Sequence, residues 1–137
     1  MIDRFHVAKL YRKGLDTLRK HELQRLKKEL SAEEYKQLQG VMWTLRKRAE
    51  QVTSEDKEKL DRLFTHAPQL KVAYDLCKAL TEIFDRHMTK RRAKYALKHW
   101  MKRVKGSTLH CFDTFLITFS PPYTFFLLNG DMELNRD

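Results

Sequence analysis

The chain has 137 residues, 42% of them hydrophobic and 11% aromatic, which is enough to bury the core of one domain and argues against pervasive disorder. Four glycines and three prolines among many Leu, Lys, Glu and Arg residues argue against a strand-rich fold and favour helices. The formal net charge of +10 attracts polyanions, so the first predicted partner is nucleic acid.

The first predicted element is a long amphipathic helix. Between Phe5 and Leu30, apolar residues recur every three to five positions with Lys and Arg between them, which predicts one helix or two that meet at Gly14. Asp3 precedes this helix. Its position suits either an N-cap or a catalytic carboxylate, and the local pattern alone favours the cap.

A second helix start is predicted at the next polar segment. Ser31 and Glu34 have the spacing of a capping box, in which each side chain satisfies a free backbone amide of the first turn. The sequence therefore predicts a helix from Ala32 to about Gly40.

The middle of the chain predicts two further helices. Thr53 and Asp56 repeat the capping-box spacing, and Pro68 either ends that helix or begins the next one. Over residues 69–84 the apolar side chains fall on one helical face and the charged ones on the other.

The last third of the chain begins with another capping signal. Thr89 is predicted to cap a helix that stops at Gly106, and residues 107–119 are predicted to form one last helix. After Phe119, prolines and a change of composition predict an irregular tail. We therefore expect a mostly α bundle of five to six helices over residues 1–119, followed by a divergent tail over residues 120–137.

Positive charge is concentrated in the predicted helix after Thr89. Residues 1–105 hold 27 of the 28 Lys and Arg and 14 of the 18 Asp and Glu, a net of +13, and nine cations lie between Asp85 and Asp113 with no acidic residue among them. A stripe of cations opposite the apolar face suits contacts with DNA phosphates. The alternative is a solvated face that only maintains solubility. The predicted DNA-binding residues are Arg91, Lys94, Lys98, Lys102 and Lys105.

Other chemical signals in the sequence are weak. The six histidines and the cysteines Cys77 and Cys111 lack the spacing of a zinc site, and no nucleotide-binding or nucleophile motif is present. Trp43 and Trp100 suggest base stacking, but Trp100 lies on an apolar stripe, which favours the core. No apolar run approaches the roughly 20 residues of a membrane span, so we expect a cytoplasmic protein with reduced thiols and no membrane partner.

Four segments in order resemble a known family. The segment "IDRFHVAKL" is similar to the region around the second catalytic aspartate of bacterial insertion-sequence transposases with a DDE active site, a family with a DRFH motif at that position. The stretch with Trp43 and Leu45, the Leu-x-x-Ala-Tyr-x-Leu pattern at residues 70–76, and "WMKRVKGSTLHCFDTFL" resemble the segments that follow. Arg46 stands where the family more often has a leucine.

The resemblance implies a catalytic role for Asp3. In such enzymes three carboxylates on a ribonuclease-H-like fold hold divalent metal ions, commonly Mg²⁺, for phosphoryl transfer at DNA ends. Carried over, Asp3 is the second catalytic carboxylate and a metal ligand, supported by its neighbours Arg4, Phe5 and His6.

The other two carboxylates have no clear counterpart. No segment for the first aspartate precedes Asp3, and Glu133 in "NGDMELN" is only a weak echo of the third. We therefore expect a transposase truncated at both ends, inactive alone and without a stably bound Mg²⁺. The partners expected from this interpretation are DNA and an intact transposase or a second copy of the chain. Two alternatives remain open: a small basic helical nucleic-acid-binding or regulatory protein unrelated to transposition, with Asp3 as a cap, and a relic without function.

Overall fold

The computed structural model describes residues 4–86 and 89–118, and all regular structure in these ranges is helical. The mostly α prediction is therefore confirmed. The described residues form seven α-helices, more than the five to six expected, and a short 3-10 helix, Ala49–Gln51, lies between the third and the fourth. These α-helices are α1 (Arg4–Glu29), α2 (Ala32–Lys36), α3 (Val41–Arg46), α4 (Ser54–His66), α5 (Pro68–Asp85), α6 (Lys90–Gly106) and α7 (Asp113–Thr118).

Helix α1 is continuous through Gly14, so the prediction of one long helix is confirmed over that of two. Gly14 is needed for packing instead. A side chain at this position would overlap the backbone carbonyl of Cys111, which lies just before α7. The missing side chain therefore lets the segment leading into α7 pack directly against the backbone of α1.

The helix predicted from Ala32 to about Gly40 begins as expected but ends early. Ser31 and Glu34 form the capping box, with reciprocal hydrogen bonds of 3.1 and 3.2 Å. Beyond Lys36 the chain forms tighter turns, in which the amides of Leu38 and Gln39 donate to carbonyls three residues back, at 3.0 and 3.2 Å. Gly40 then takes a left-handed backbone conformation with φ of +79°. A separate helix, α3, then starts at Val41.

The last helix predicted over residues 107–119 is wrong in its first half, because Thr108 takes a left-handed backbone conformation with φ of +61° and α7 begins only at Asp113. The other predicted boundaries agree with the structure. Thr53 and Asp56 form the capping box of α4, and Pro68 occupies the first turn of α5, where its missing amide hydrogen is not required. Thr89 caps α6 by accepting a hydrogen bond from the backbone N–H of Arg92, and α6 ends at Gly106. The predicted tail, residues 120–137, lies outside the described residues.

Helix α5 is the centre of the bundle. It packs against α1, α4 and α6, and its buried positions recur at helical spacing along most of its length. The buried positions of α5 are Leu70, Ala73, Tyr74, Leu76, Cys77, Leu80 and Phe84. Burying so many apolar groups on one helix supplies much of the driving force for assembly.

An aromatic cluster connects α1 with α6 and α7. The ring of Trp100 on α6 lies edge-on to Phe112 and Phe115, with centroids 5.6 Å apart in each pair. Phe115 also meets Tyr11 of α1 at 5.8 Å. Such edge-to-face contacts add stability beyond the buried area, so they hold α1, α6 and α7 around the middle of the molecule.

One charged side chain orients the long helix. Arg25 on α1 donates to the carbonyl oxygen of His66 at the end of α4, at 2.9 Å, and it also binds Glu22 and Glu29. The hydrogen bond to Glu22 raises the pKa of Arg25. A cation at a helix C-terminus satisfies carbonyls that have no partner within the helix, so Arg25 fixes α1 against α4.

The cysteines are free thiols, as predicted. Cys77 is buried on α5 and donates to the carbonyl oxygen of Tyr11 at 3.8 Å. Burial raises the pKa of both thiols, that of Cys111 to about 11. No helix within the described ranges is both long enough and apolar enough to span a membrane.

We predict that Gly14→Ala destabilises the protein. The added methyl group must displace the Cys111 carbonyl, and overpacking of this kind costs about 1–3 kcal/mol. Denaturant unfolding measures the loss. Gly106→Ala is the matched control, because nothing lies within 4 Å of a side chain there and stability should be unchanged or slightly increased. Equal effects of the two substitutions would contradict the packing role of Gly14.

We also predict that protonation of Asp56 contributes to the loss of folding stability at low pH. The Lys47 ammonium, 2.7 Å from its carboxylate, and the backbone N–H of Thr53 lower the pKa of Asp56 from 3.8 to about 2. As the pH falls, Asp56 is protonated at a higher pH in the unfolded chain than in the folded protein. The stabilisation of the folded state by the Asp56 carboxylate is therefore present above about pH 4 and is lost as pH falls through about 2.

In Asp56→Asn, thermal unfolding should show a smaller drop in Tm between pH 5 and pH 2 than in the wild type. Glu58→Gln, on the same helix, serves as the control. An unchanged pH dependence in Asp56→Asn would rule out this contribution.

Candidate nucleic-acid interface

Helix α6 carries the predicted DNA-binding residues, and its local sequence explains why it forms. Thr89 caps the first turn, and Ala93, Leu97, Trp100 and Val104 recur at intervals of four, three and four residues to form one buried stripe. At the other end, the Ser107 hydroxyl donates to the carbonyl oxygen of Val104 at 2.6 Å. The apolar stripe therefore decides which face of α6 is left to solvent.

Trp100 anchors α6 to the core. Its ring is 1% exposed, and its indole N–H donates to the carbonyl oxygen of Leu76 on α5 at 2.7 Å. A buried indole with a satisfied N–H packs well and positions its helix precisely. The prediction that Trp100 belongs to the core is confirmed, and it is not available for base stacking.

The five predicted DNA-binding residues lie together on the exposed side of α6. We call this surface the cationic face, defined by Arg91, Lys94, Lys98, Lys102 and Lys105, all of which are exposed. Their intervals of three, four, four and three residues keep them on one side of the helix. Fourteen residue steps at about 1.5 Å each give the face a length of about 21 Å.

The charges of the cationic face are not neutralised within the part of the chain that the structure describes. None of its five side chains makes an ion pair with another described residue. Some cations on other helices do pair with acids, for example Arg46 with Asp16 at 2.9 Å and Lys71 with Asp75 at 3.1 Å. Like charges one helical turn apart repel each other, so the face costs some stability and favours an anionic partner.

One residue of this surface was missed by the sequence analysis. Tyr95 is 76% exposed, although a tyrosine usually buries most of its ring. It lies four residues after Arg91 and three before Lys98, which places it within the cationic face. The sequence could have predicted the exposure of Tyr95, because an aromatic residue that is one helical turn from cations and lies outside the apolar stripe is expected to be exposed.

The structure does not describe the predicted catalytic residue. Asp3, proposed from the resemblance as a catalytic carboxylate and metal ligand, lies outside the described residues, as does Glu133. Among the residues that are described, no group of three or more His, Cys, Asp or Glu side chains is placed to hold a metal ion. These residues therefore do not fit a metal centre, and we derive no catalytic step from one.

Comparison with known proteins identifies the family. The model of the family DDE_Tnp_ISL3, described as a transposase, matches residues 1–123. The chain therefore belongs to this transposase family, which confirms the resemblance and decides against a protein unrelated to transposition. No curated protein and no solved structure matches the chain.

Proposed function

We propose that this chain acts in DNA transposition as a DNA-binding element, and that helix α6 makes the contact. The observation that carries the proposal is the cationic face, five exposed cations with no ion pair to any described residue. Membership of a transposase family makes DNA the relevant polyanion.

The binding chemistry follows from the geometry of the face. Lys and Arg side chains along about 21 Å of helix can neutralise successive phosphates of one duplex strand, and the affinity comes from the release of condensed counterions. Phosphate contacts position a protein without reading bases, so we expect little sequence preference from this face. Tyr95, exposed among the cations, can add a contact to sugar or phosphate through its hydroxyl group.

We further propose that the 137-residue chain, assayed by itself, does not catalyse strand transfer. The resemblance assigns it one clear catalytic carboxylate, Asp3, whereas the chemistry of the DDE family needs three to hold its metal ions. Glu133 is only a weak echo of another. On this proposal Asp3 is an inherited ligand position, and the chain acts by occupying DNA or by associating with an intact transposase.

We predict that Lys98→Gln combined with Lys102→Gln weakens duplex DNA binding and its salt dependence. Removal of two phosphate contacts should lower the slope of log K against log salt concentration by about 1.8. Gel-shift or anisotropy titrations of a 30-base-pair duplex at several salt concentrations measure this slope. Because both side chains are exposed, the fold should be unaffected.

The control removes the same charge elsewhere. Lys27→Gln combined with Lys28→Gln changes two exposed cations at the end of α1. This variant should keep the wild-type slope. Equal losses in the two variants would show a general effect of net charge and would contradict the assignment to α6.

We predict no magnesium-dependent nicking of supercoiled plasmid by the purified chain. The measurement is gel analysis of plasmid topology with Mg²⁺ and with a chelator. Nicking that requires Mg²⁺ and disappears in Asp3→Asn would overturn the proposed inactivity and would establish Asp3 as a catalytic residue.

A further inference from the structure

A groove separate from the cationic face lies between α1, α5 and the segment formed by α3 and the 3-10 helix. Its volume is about 730 Å³, and none of the described residues that line it belongs to α6. A cavity of this size can hold a small ligand or a short segment of a polymer. We call it the α1/α5 groove.

The rim of the α1/α5 groove is cationic along α1 and along the segment formed by α3 and the 3-10 helix, whereas α5 contributes one lysine and two carboxylates. Seven Lys and Arg side chains and four carboxylates are among its described lining residues. Two of the carboxylates already have partners, since Asp16 binds Arg46 at 2.9 Å and Glu82 faces Arg86 at 3.6 Å. Five of the cations make no ion pair with any described residue: Lys9, Arg12 and Lys13 on α1, Arg48 before the 3-10 helix, and Lys78 on α5.

The base of the groove is apolar. Leu15 and Leu45 contribute buried aliphatic side chains, and Tyr74 contributes an aromatic ring with the Lys78 ammonium 5.4 Å from its centre. A ligand that fits both rim and base must therefore combine negative charge with flat or apolar groups.

An exposed tryptophan stands beside this groove. Trp43 on α3 is 64% exposed, and the guanidinium of Arg46, a lining residue, lies 5.9 Å from the centre of its ring. Exposure of such a large apolar ring to water is unfavourable, and the guanidinium next to it provides a second flat surface. Aromatic rings beside a cationic groove form the usual platform on which unpaired bases stack.

We propose that the α1/α5 groove binds single-stranded DNA, with phosphates on the cationic rim and a base stacked on Trp43. In a duplex the phosphates are accessible but the faces of the nucleobases are covered by stacking. A duplex would therefore make no contact with the apolar bottom of the groove or with the Trp43 ring. An acidic peptide would match the rim alone. The site is distinct from the proposed duplex contact, since the two use different helices.

The primary experiment follows Trp43 directly. Titration of the full chain with the oligonucleotide dT15 at 50 mM salt should quench tryptophan emission, and the signal should come from Trp43 because Trp100 is buried. Trp43→Leu should abolish the quenching and weaken dT15 binding, measured by anisotropy, about fivefold or more. Binding of dT15 without quenching, or no binding at all, would overturn the proposal.

Charge variants on one helix locate the site. Lys9→Gln combined with Lys13→Gln removes two rim cations and should lower the salt slope for dT15 by about 1.4, with duplex affinity within twofold of the wild type. Lys27→Gln combined with Lys28→Gln, further along α1, should leave dT15 binding unchanged. Equal losses from both pairs would overturn the assignment to the groove.

Two comparisons separate this inference from its alternatives. Lys98→Gln combined with Lys102→Gln should weaken duplex binding and leave dT15 affinity unchanged. The duplex site on α6 and the single-strand site in the groove can therefore be disproved independently. Polyglutamate matched to dT15 in charge should displace it poorly. Displacement as effective as that by unlabelled dT15 would show that the rim binds any polyanion, which would overturn the stacking component.

Discussion

The burial of helix α5 is the constraint on which the other elements depend. The chain carries 28 cationic side chains, which must stay at the surface unless they are paired, so its apolar residues have to assemble into one compact core. Helix α5 supplies the centre of that core and is packed against α1, α4 and α6. Each of these helices therefore turns its apolar stripe inward, and the direction of its charged face follows.

Packing against α5 determines which side of α6 is exposed, and so which cations share one surface. The hydrogen bond from Trp100 to the Leu76 carbonyl sets the rotation of α6, which directs its cations outward as one row. Arg19 is an exception: it is 7% exposed, its Nε atom lacks a hydrogen-bond partner among the described residues, and Asp16 lies 3.6 Å from that atom. The ion pair with Asp16 offsets part of the free-energy cost of burying this guanidinium.

Local signals in the sequence were sufficient for much of the fold. Capping residues such as Ser31, Thr53 and Thr89 mark helix starts because a side-chain oxygen must satisfy free amides within three residues, an interaction that needs no tertiary context. The end of α2 was not predictable in the same way. Gly40 is compatible with a helix end or a helix interior, so its left-handed conformation before α3 could not be read from the sequence.

By itself, the sequence determined the helical class, most helix starts, the cationic row on α6 and, through its resemblance, the transposase family. Only the tertiary structure decided that Gly14 is a packing position, that Trp43 is exposed, and that cations of α1, α5 and the segment after α3 line one groove. The physical reason is distance along the chain. Periodicity and caps report neighbours within a helical turn, whereas a groove or a close backbone contact joins residues dozens of positions apart.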